Sequence, residues 1–431
     1  MFQICGEVSP GWEEVKAKFK ANFESGADEN AQLCIYHRGQ KVVDLWGVAK
    51  GTDFNGNSLT LSWSSNKSIA SIAMAWLVDK GHLEYHDLVT KHWPKFGQNG
   101  KDAIKVEDVL RHEGRLPAFS KPIPDEDLTR ERIKTNAVGR LIEEQVPHEV
   151  HPESPREYHA LTRGAILNEI FRRAHPQGWT IGEWVEEILY KTQGLDCHLG
   201  SSDPAVQDRF VCPRIRSLRY ILLQALNPFS KDVFVGPKAL LAMVRTVKKT
   251  SSKGNNNALF LASLRKEDKL HVIVKAMASK EVRRTEIPSA NGLSTARGYA
   301  KLGAIIANRG VLGSGERLLS QTAVEKMEAN PIRRPNMAIL GVEDNFSQGG
   351  LCVFNKDLGE HHLAKSIGML PRDGYIGWFG LGGSVFQYHP ENQIGFGYVP
   401  TLLHWEDVGG ARGTQLQAVA LKIAKRIDSA R

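Results

Sequence analysis

The chain has 431 residues, 41% of them hydrophobic and 24% charged, enough to bury a large core in one big domain or two lobes. No stretch reaches the ~18 uninterrupted apolar residues that a membrane helix needs. The opening Met1-Phe2-Gln3-Ile4-Cys5-Gly6-Glu7 lacks the basic flank and apolar block of a secretory signal, and Glu7, Glu13 and Glu14 come too early for a transit peptide, so a cytoplasmic protein without membrane contact is expected. The formal charge of +8 is spread along the chain. Its densest run, residues 245–253 (RTVKKTSSK), carries no interleaved aromatics and reads as a solvated loop, not a nucleic-acid groove. Five scattered cysteines (Cys5, Cys34, Cys197, Cys212, Cys352) without a C-x-x-C pair read as reduced thiols, not as a disulfide frame or a zinc site.

Residues 11–24 place Trp12, Val15, Phe19 and Phe23 near helical spacing and predict an amphipathic helix. Residues 32–36 and 41–46 flank a polar tip at 37–40, the signature of a β-hairpin. Residues 59–63 make a short extended run. From Ser65 the period becomes helical, with Ile69, Ile72, Trp76 and Leu77 on one face and Gly81 as the C-terminal stop. The middle, roughly 100–285, mixes helical segments such as 160–174 and 181–192 with long polar loops, among them 254–257. Strand character returns at 383–388, turns at 389–392 and runs back along 393–399; residues 413–427 close the chain as a helix. Strands at both ends with helices between predict an α/β (α+β) fold. In it, 1–95 and 286–431 form a split lobe around one sheet, and 96–285 is a mostly helical insertion.

Ser64-Ser65-Asn66-Lys67 is a Ser-x-x-Lys motif. Residues three apart on a helix share a face, so the lysine amine reaches the serine hydroxyl. A serine hydroxyl is a weak nucleophile until a base takes its proton. A lysine serves as that base when burial or a nearby cation makes it neutral. At a strand-to-helix junction the Ser64 backbone N–H is also free to meet a developing oxyanion. The pattern alone is weak: Ser263-Leu264-Arg265-Lys266 matches it too, within a charged surface segment, and a lone Ser64 reads equally well as a helix N-terminal serine. The first copy differs in having a β run before it and a long apolar helix after it.

The stretch 63–80 (WSSNKSIASIAMAWLVDK) resembles the nucleophile region of the serine β-lactamase-related family, which includes class C β-lactamases, penicillin-binding proteins, β-lactamase-fold carboxylesterases and mitochondrial serine β-lactamase-like proteins. Similar segments follow in the same order: 81–84, 92–96, 104–112 with Leu116-Pro117, Tyr158-His159-Ala160-Leu161-Thr162 with Gly164, 287–292 (IPSANG), and Gly380-Leu381-Gly382-Gly383-Ser384. The resemblance implies a β-lactamase/transpeptidase-like fold, one domain of about 15–425 with an antiparallel sheet flanked by helices from both chain ends. It also implies an acyl-enzyme mechanism. Ser64 would be the nucleophile, and Lys67 and Tyr158 would share the proton work. The N–H groups of Ser64 and Leu381 would form the oxyanion hole, with Trp378, Gly380 and Gly382 along the substrate. A tyrosine phenol ionises near pH 10, so a Lys67–Tyr158 pair passing one proton is favoured over a standing phenolate.

Three positions depart from the family pattern. Trp378-Phe379-Gly380 stands where Lys or His, any residue, then Gly is usual, which argues against a β-lactamase and suits neutral esters. Ala160 replaces the usual Asn or Ser, and Arg115 stands where Gly is common. No metal or cofactor is expected: His82 and His86 with Glu84 between them fail the zincin pattern, and Glu360-His361-His362 reads as surface histidines. Two functional readings follow. The first is an active serine hydrolase on an ester or amide, poor against β-lactams, whose partner is a small-molecule or peptide acyl substrate. The second is a weak or inactive relative that keeps the fold for binding or assembly. Nucleic acid and membrane partners are not expected, a homo-oligomer is left open, and the family resemblance leaves a mitochondrial location open.

Overall fold

The computed structural model describes residues 1–217, 226, 267–339, 342–355, 372–404 and 410–430. The basic run 245–253, the tip 254–257, the second Ser-x-x-Lys at 263–266 and the histidine cluster 360–362 lie outside the described residues. The strands in chain order are β1 (Phe2–Val8), β2 (Ala31–His37), β3 (Gln40–Ala49), β4 (Thr60–Leu61), β5 (Cys197–His198), β6 (Arg214–Ile215) and β7 (Leu293–Ser294), then β8 (Ile332–Asn336), β9 (Val342–Phe346), β10 (Cys352–Val353), β11 (Ile376–Phe379), β12 (Val385–His389), β13 (Ile394–Pro400) and β14 (Leu402–Leu403). Nine of them form one antiparallel sheet in the order β1-β3-β2-β13-β12-β11-β10-β9-β8. The first and last segments of the chain therefore meet at the β2–β13 pair.

Local chemistry explains the hairpin. Arg38 and Gly39 both sit at positive φ (50° and 77°), the requirement of a two-residue turn whose twist matches its strands. Helix α1 (Glu13–Glu24) buries Val15, Phe19 and Phe23, with Trp12 buried at its N-cap. It packs beside the closing helix α6 (Ala411–Ser429). That pair covers the sheet face carrying Val385 and Tyr398, which a Cβ on Gly413 would touch. The other face is covered by α5 (Ala296–Ala307), and the glycines of β13 make the approach close. A Cβ on Gly395 would lie 2.2 Å from the Ala300 carbonyl oxygen, and one on Gly397 would lie 2.3 Å from that of Ala296. The alternation Ile394-Gly395-Phe396-Gly397-Tyr398 is therefore a groove for a helix on one side and an aromatic layer on the other.

Helix α2 (Lys67–Asp79) is buried on every side except at Trp76 and its last residue, Asp79, not along one face as its apolar spacing suggests. Ala70, Ser71, Ala73 and Ala75 are small enough for neighbours to pack against the faces that the pattern left polar or blank. Its end follows the expected signal: Gly81 has φ 71°, its N–H donates to the Val78 carbonyl, and the His82 N–H reaches back to Leu77. The helix expected over 160–174 is α3 (Thr162–Ala174), and α4 (Glu267–Ala278) lies in the middle segment. The segment expected as a helix over 181–192 is α-helical at Ile181–Trp184 and winds wider, as a π-helix, over Val185–Thr192.

Candidate active site

The extended run expected through Trp63 ends earlier, at Leu61. Trp63–Asn66 is a single tight 3₁₀ turn, and Trp63 enters it with φ 48°. A bulky residue in that region is strained, and such strain persists only where the surroundings hold it. They do so here. Ser62 donates from both N–H and Oγ to the Gly292 carbonyl (3.0 and 2.8 Å). Ser384 Oγ donates to the Ser62 carbonyl (2.7 Å), and Ser65 Oγ donates to the Ser384 carbonyl (3.0 Å). The turn lifts Ser64 off the sheet edge at the N-terminus of α2.

Ser64, Lys67 and Tyr158 meet. Ser64 Oγ is 2.8 Å from the Tyr158 hydroxyl and 3.1 Å from Lys67 Nζ. Lys67 is fully buried and also donates to the main-chain carbonyls of Ala160 (2.8 Å) and Ser289 (3.0 Å). One assignment satisfies every group. The Tyr158 O–H donates to Ser64 Oγ, the Ser64 O–H points at a neutral Lys67 nitrogen, and the two amine hydrogens go to the two carbonyls. Electrostatics favour that state: burial, then the guanidinium of Arg163, holds Lys67 well below the usual lysine range. Burial pushes the Tyr158 phenol up to about 12 against the opposing pull of its Ser64 hydrogen bond, so it stays protonated.

The segment 287–292 owes its position to three contacts. Asn66 Nδ2 donates to the Pro288 carbonyl (3.0 Å), the Gly164 N–H donates to Ser289 Oγ (2.8 Å), and Gly292 leaves room for the Asn66 side chain. These contacts carry the Ser289 carbonyl to Lys67. Sequence reasoning missed that carbonyl, and it missed the buried groups behind the tyrosine. The His112 ring packs tilted against the Tyr158 ring (41°, centroids 4.8 Å apart), and its Nδ1 accepts the His159 N–H (2.9 Å). His159 Nε2 accepts the Leu116 N–H (3.0 Å). Burial holds both imidazoles below their usual range, His159 to about 3, so both are neutral. Arg163, on the first turn of α3, is fully buried as well. The order His112…Leu116-Pro117 was visible in the sequence, but nothing local distinguishes these side chains from surface ones.

Gly380-Leu381-Gly382-Gly383-Ser384 lies against the serine turn. A Cβ on Gly380 would come within 2.4 Å of Ser384 Oγ, 2.6 Å of the Ser62 carbonyl oxygen and 3.0 Å of the Ser64 nitrogen, so only glycine fits. Among the described residues, neither the Ser64 nor the Leu381 backbone N–H donates to another protein group, as befits the first residues of two tight turns. Gly382 differs from expectation: it is buried, its added Cβ would strike Leu403 at 2.3 Å, and it does not line the cavity. Trp378 does line it, with its indole N–H donating to the Gly350 carbonyl at 2.9 Å.

Ser64 and Tyr158 open into a cavity of about 680 Å³. Its walls are largely apolar, from Trp63, Phe119, Leu161, Met277, Phe346 and Trp378. Asp344 also lines it, its carboxylate accepting from Asn336 Nδ2 (2.6 Å), while Lys121 is exposed on the rim. Arg115 has φ 59°, a conformation that explains why glycine suits that place, and its side chain donates to the His148 carbonyl (2.7 Å). Among the described residues no cluster of three or more His, Cys, Asp or Glu is arranged to hold a metal ion, and no helix is long and apolar enough to cross a membrane.

A sheet built from both chain ends, with a Ser-x-x-Lys turn facing a tyrosine and a glycine-rich turn, defines the β-lactamase/transpeptidase-like class. The Beta-lactamase family profile matches residues 16–420, and the chain belongs to that family. It is 26% identical over 408 residues to the esterase/beta-lactamase LipL of Mycobacterium tuberculosis, covering 92% of this chain and 82% of LipL. Among solved structures it is similar to a penicillin-binding protein homologue from Caulobacter crescentus (24% identity, TM-score 0.73, 98% of this chain and 100% of that one). It is also similar to a family VIII carboxylesterase (22% identity, TM-score 0.75, with the same coverage of the two chains). At these identities the structural likeness establishes the fold.

Proposed function

We propose that the protein is a serine hydrolase that takes the acyl group of an apolar ester, or less readily an amide, onto Ser64 and passes it to water. The observation that carries this reading is the unbroken path from Tyr158 through Ser64 to Lys67, opening into an apolar cavity. The names of the relatives, an esterase/beta-lactamase and a carboxylesterase, support the same class of reaction.

The Ser64 oxygen attacks the carbonyl carbon as its proton moves to Lys67, a transfer worth about 10²–10⁴ in rate. The N–H groups of Ser64 and Leu381 receive the negative charge on the carbonyl oxygen. Tyr158 gives its proton to the departing alkoxide and recovers one from the Lys67 ammonium. Water then attacks the acyl-enzyme, its proton leaves by the same pair, and Ser64 regains its hydrogen. The three departures from the family pattern leave this path whole. Ala160 contributes a main-chain carbonyl, which any residue at that position would supply, Arg115 ties down a neighbouring loop, and Trp378 forms wall.

The direct test is a fluorophosphonate probe followed by peptide mapping. The adduct is expected on Ser64, and an adduct on another serine, or none, overturns the reading. Hydrolysis of cephalosporins is expected to be slow or undetectable, because position 378 offers an indole N–H already committed to Gly350 where the family pattern has a cation or imidazole to hold a substrate carboxylate. Turnover of a cephalosporin as fast as that of a p-nitrophenyl ester would show the opposite.

A further inference from the structure

We infer that Arg163 is a positioning residue whose fixed charge keeps Lys67 in its neutral, proton-accepting form. The inference builds on the serine-hydrolase reading, which gives Lys67 the work of a base.

Three arginines, Arg156, Arg163 and Arg412, are 0% exposed. Two of them have a carboxylate: Arg156 pairs with Glu113 at 2.8 Å and Arg412 with Asp28 at 2.6 Å. Arg163 has none among the described residues. It donates only to neutral acceptors: the carbonyls of Leu110 (3.1 Å), Lys67 (3.3 Å) and Gly350 (3.4 Å), and Ser71 Oγ (2.8 Å). Burying a guanidinium without a counter-ion is costly, and one kept beside a reactive group acts on that group through its field. That field falls on Lys67. Both groups face the Trp378 ring, Arg163 Cζ and Lys67 Nζ each lying 5.7 Å from its centroid, and the guanidinium donates to the Lys67 main-chain carbonyl.

Two cations so placed cannot both stay charged in a dry site. Arginine is the stronger base, and although burial holds it down to about 9 it remains charged at neutral pH. The lysine therefore gives up its proton. The other titratable groups around the pair do not compensate. Tyr158 is a protonated phenol, and His112 and His159 are neutral. Glu113 is spent on Arg156, Asp344 is held by Asn336 on the Arg156 side, and Glu169, further along α3, is bound to Arg172 and Arg173.

The base works only above the pH at which Lys67 loses its proton. Removing a neighbouring positive charge raises that pH, so the acid limb of kcat/KM moves upward. In Arg163→Met and Arg163→Gln a rise of about one pH unit or more is expected, on the order of a tenfold loss at any fixed pH on that limb, with Arg163→Lys nearer the wild type. Ser71→Asp sets a carboxylate against the guanidinium without removing it, and the same upward shift is expected. The shift is read twice: from pH profiles of p-nitrophenyl butyrate turnover, and from ¹³C-lysine NMR titration with Lys67→Met assigning the resonance. If Lys67 titrates at the wild-type pH in the folded Met, Gln and Asp variants, Arg163 has no such role. A wild type that is never labelled at Ser64 would overturn the hydrolase reading instead, while the NMR titration would still decide the role of Arg163.

Discussion

Lys67→Met is expected to cut kcat/KM for a short p-nitrophenyl ester by about 10²- to 10⁴-fold, the value of general-base help to a serine. Methionine keeps most of the buried volume, so the loss measures the amine and not a cavity. Ser64→Ala is expected to fall at least as far. The double variant should fall no further than Ser64→Ala, because groups that act as one unit do not add. Additive losses would mean that lysine and serine work independently, against the 3.1 Å contact between them. The residual activity should also lose its acid limb if that limb belongs to Lys67. Burial and Arg163 lower the lysine's pKa, so wild-type activity rises as pH climbs through that lowered value, well below the usual lysine range. A wild-type profile whose acid limb sits near pH 10 would contradict a neutral lysine.

Arg412→Met is expected to lower the unfolding free energy by about 3–5 kcal/mol, the cost of stranding one member of a buried ion pair. The side chains of Arg412 and Asp28 are both 0% exposed. Arg412 also donates to the carbonyls of Ala27 (3.0 Å), Leu402 (3.1 Å) and Gly382, and Asp28 accepts from Tyr398 Oη (2.5 Å) and Asn22 Nδ2 (3.2 Å). The pair thus ties the turn after α1, the strands β13 and β14, the helix α6 and the glycine-rich turn into one polar knot. Urea unfolding of the variant reads the cost. The double change Arg412→Met with Asp28→Leu should recover part of it, since it removes the orphaned carboxylate along with its partner. A loss below about 1 kcal/mol for the single change would mean that the knot is better solvated than its burial indicates.

Both ideas concern residues whose legibility in the sequence differs sharply. Ser64 and Lys67 stand three apart, and helix geometry alone brings them together. The hairpin at Arg38-Gly39 and the stop at Gly81 were equally readable, because a two-residue turn and a helix C-cap are decided by their immediate neighbours. The strands β8 to β10 were not. Ile332–Asn336 and Val342–Phe346 carry Arg, Pro, Glu and Asp at the end of the sheet, where one edge and much of a face meet solvent and no alternation is required.

By itself, then, the sequence determined the hairpin, the helix stop at Gly81 and the serine–lysine pair, because each depends on residues adjacent in the chain, and its order of strands and helices determined the class of fold. Tertiary structure alone decided that a phenol 94 residues from Ser64 reaches its hydroxyl, and that a carbonyl 222 residues from Lys67 receives its amine. It also decided that Trp63 turns the chain with a strained φ, that Gly382 packs inward, and that Arg163 lies beside Lys67 without a counter-charge among the described residues. The physical reason is desolvation. Whether a charged side chain is a surface ornament or a buried source of field depends on what covers it, and the cover comes from segments scattered over hundreds of residues.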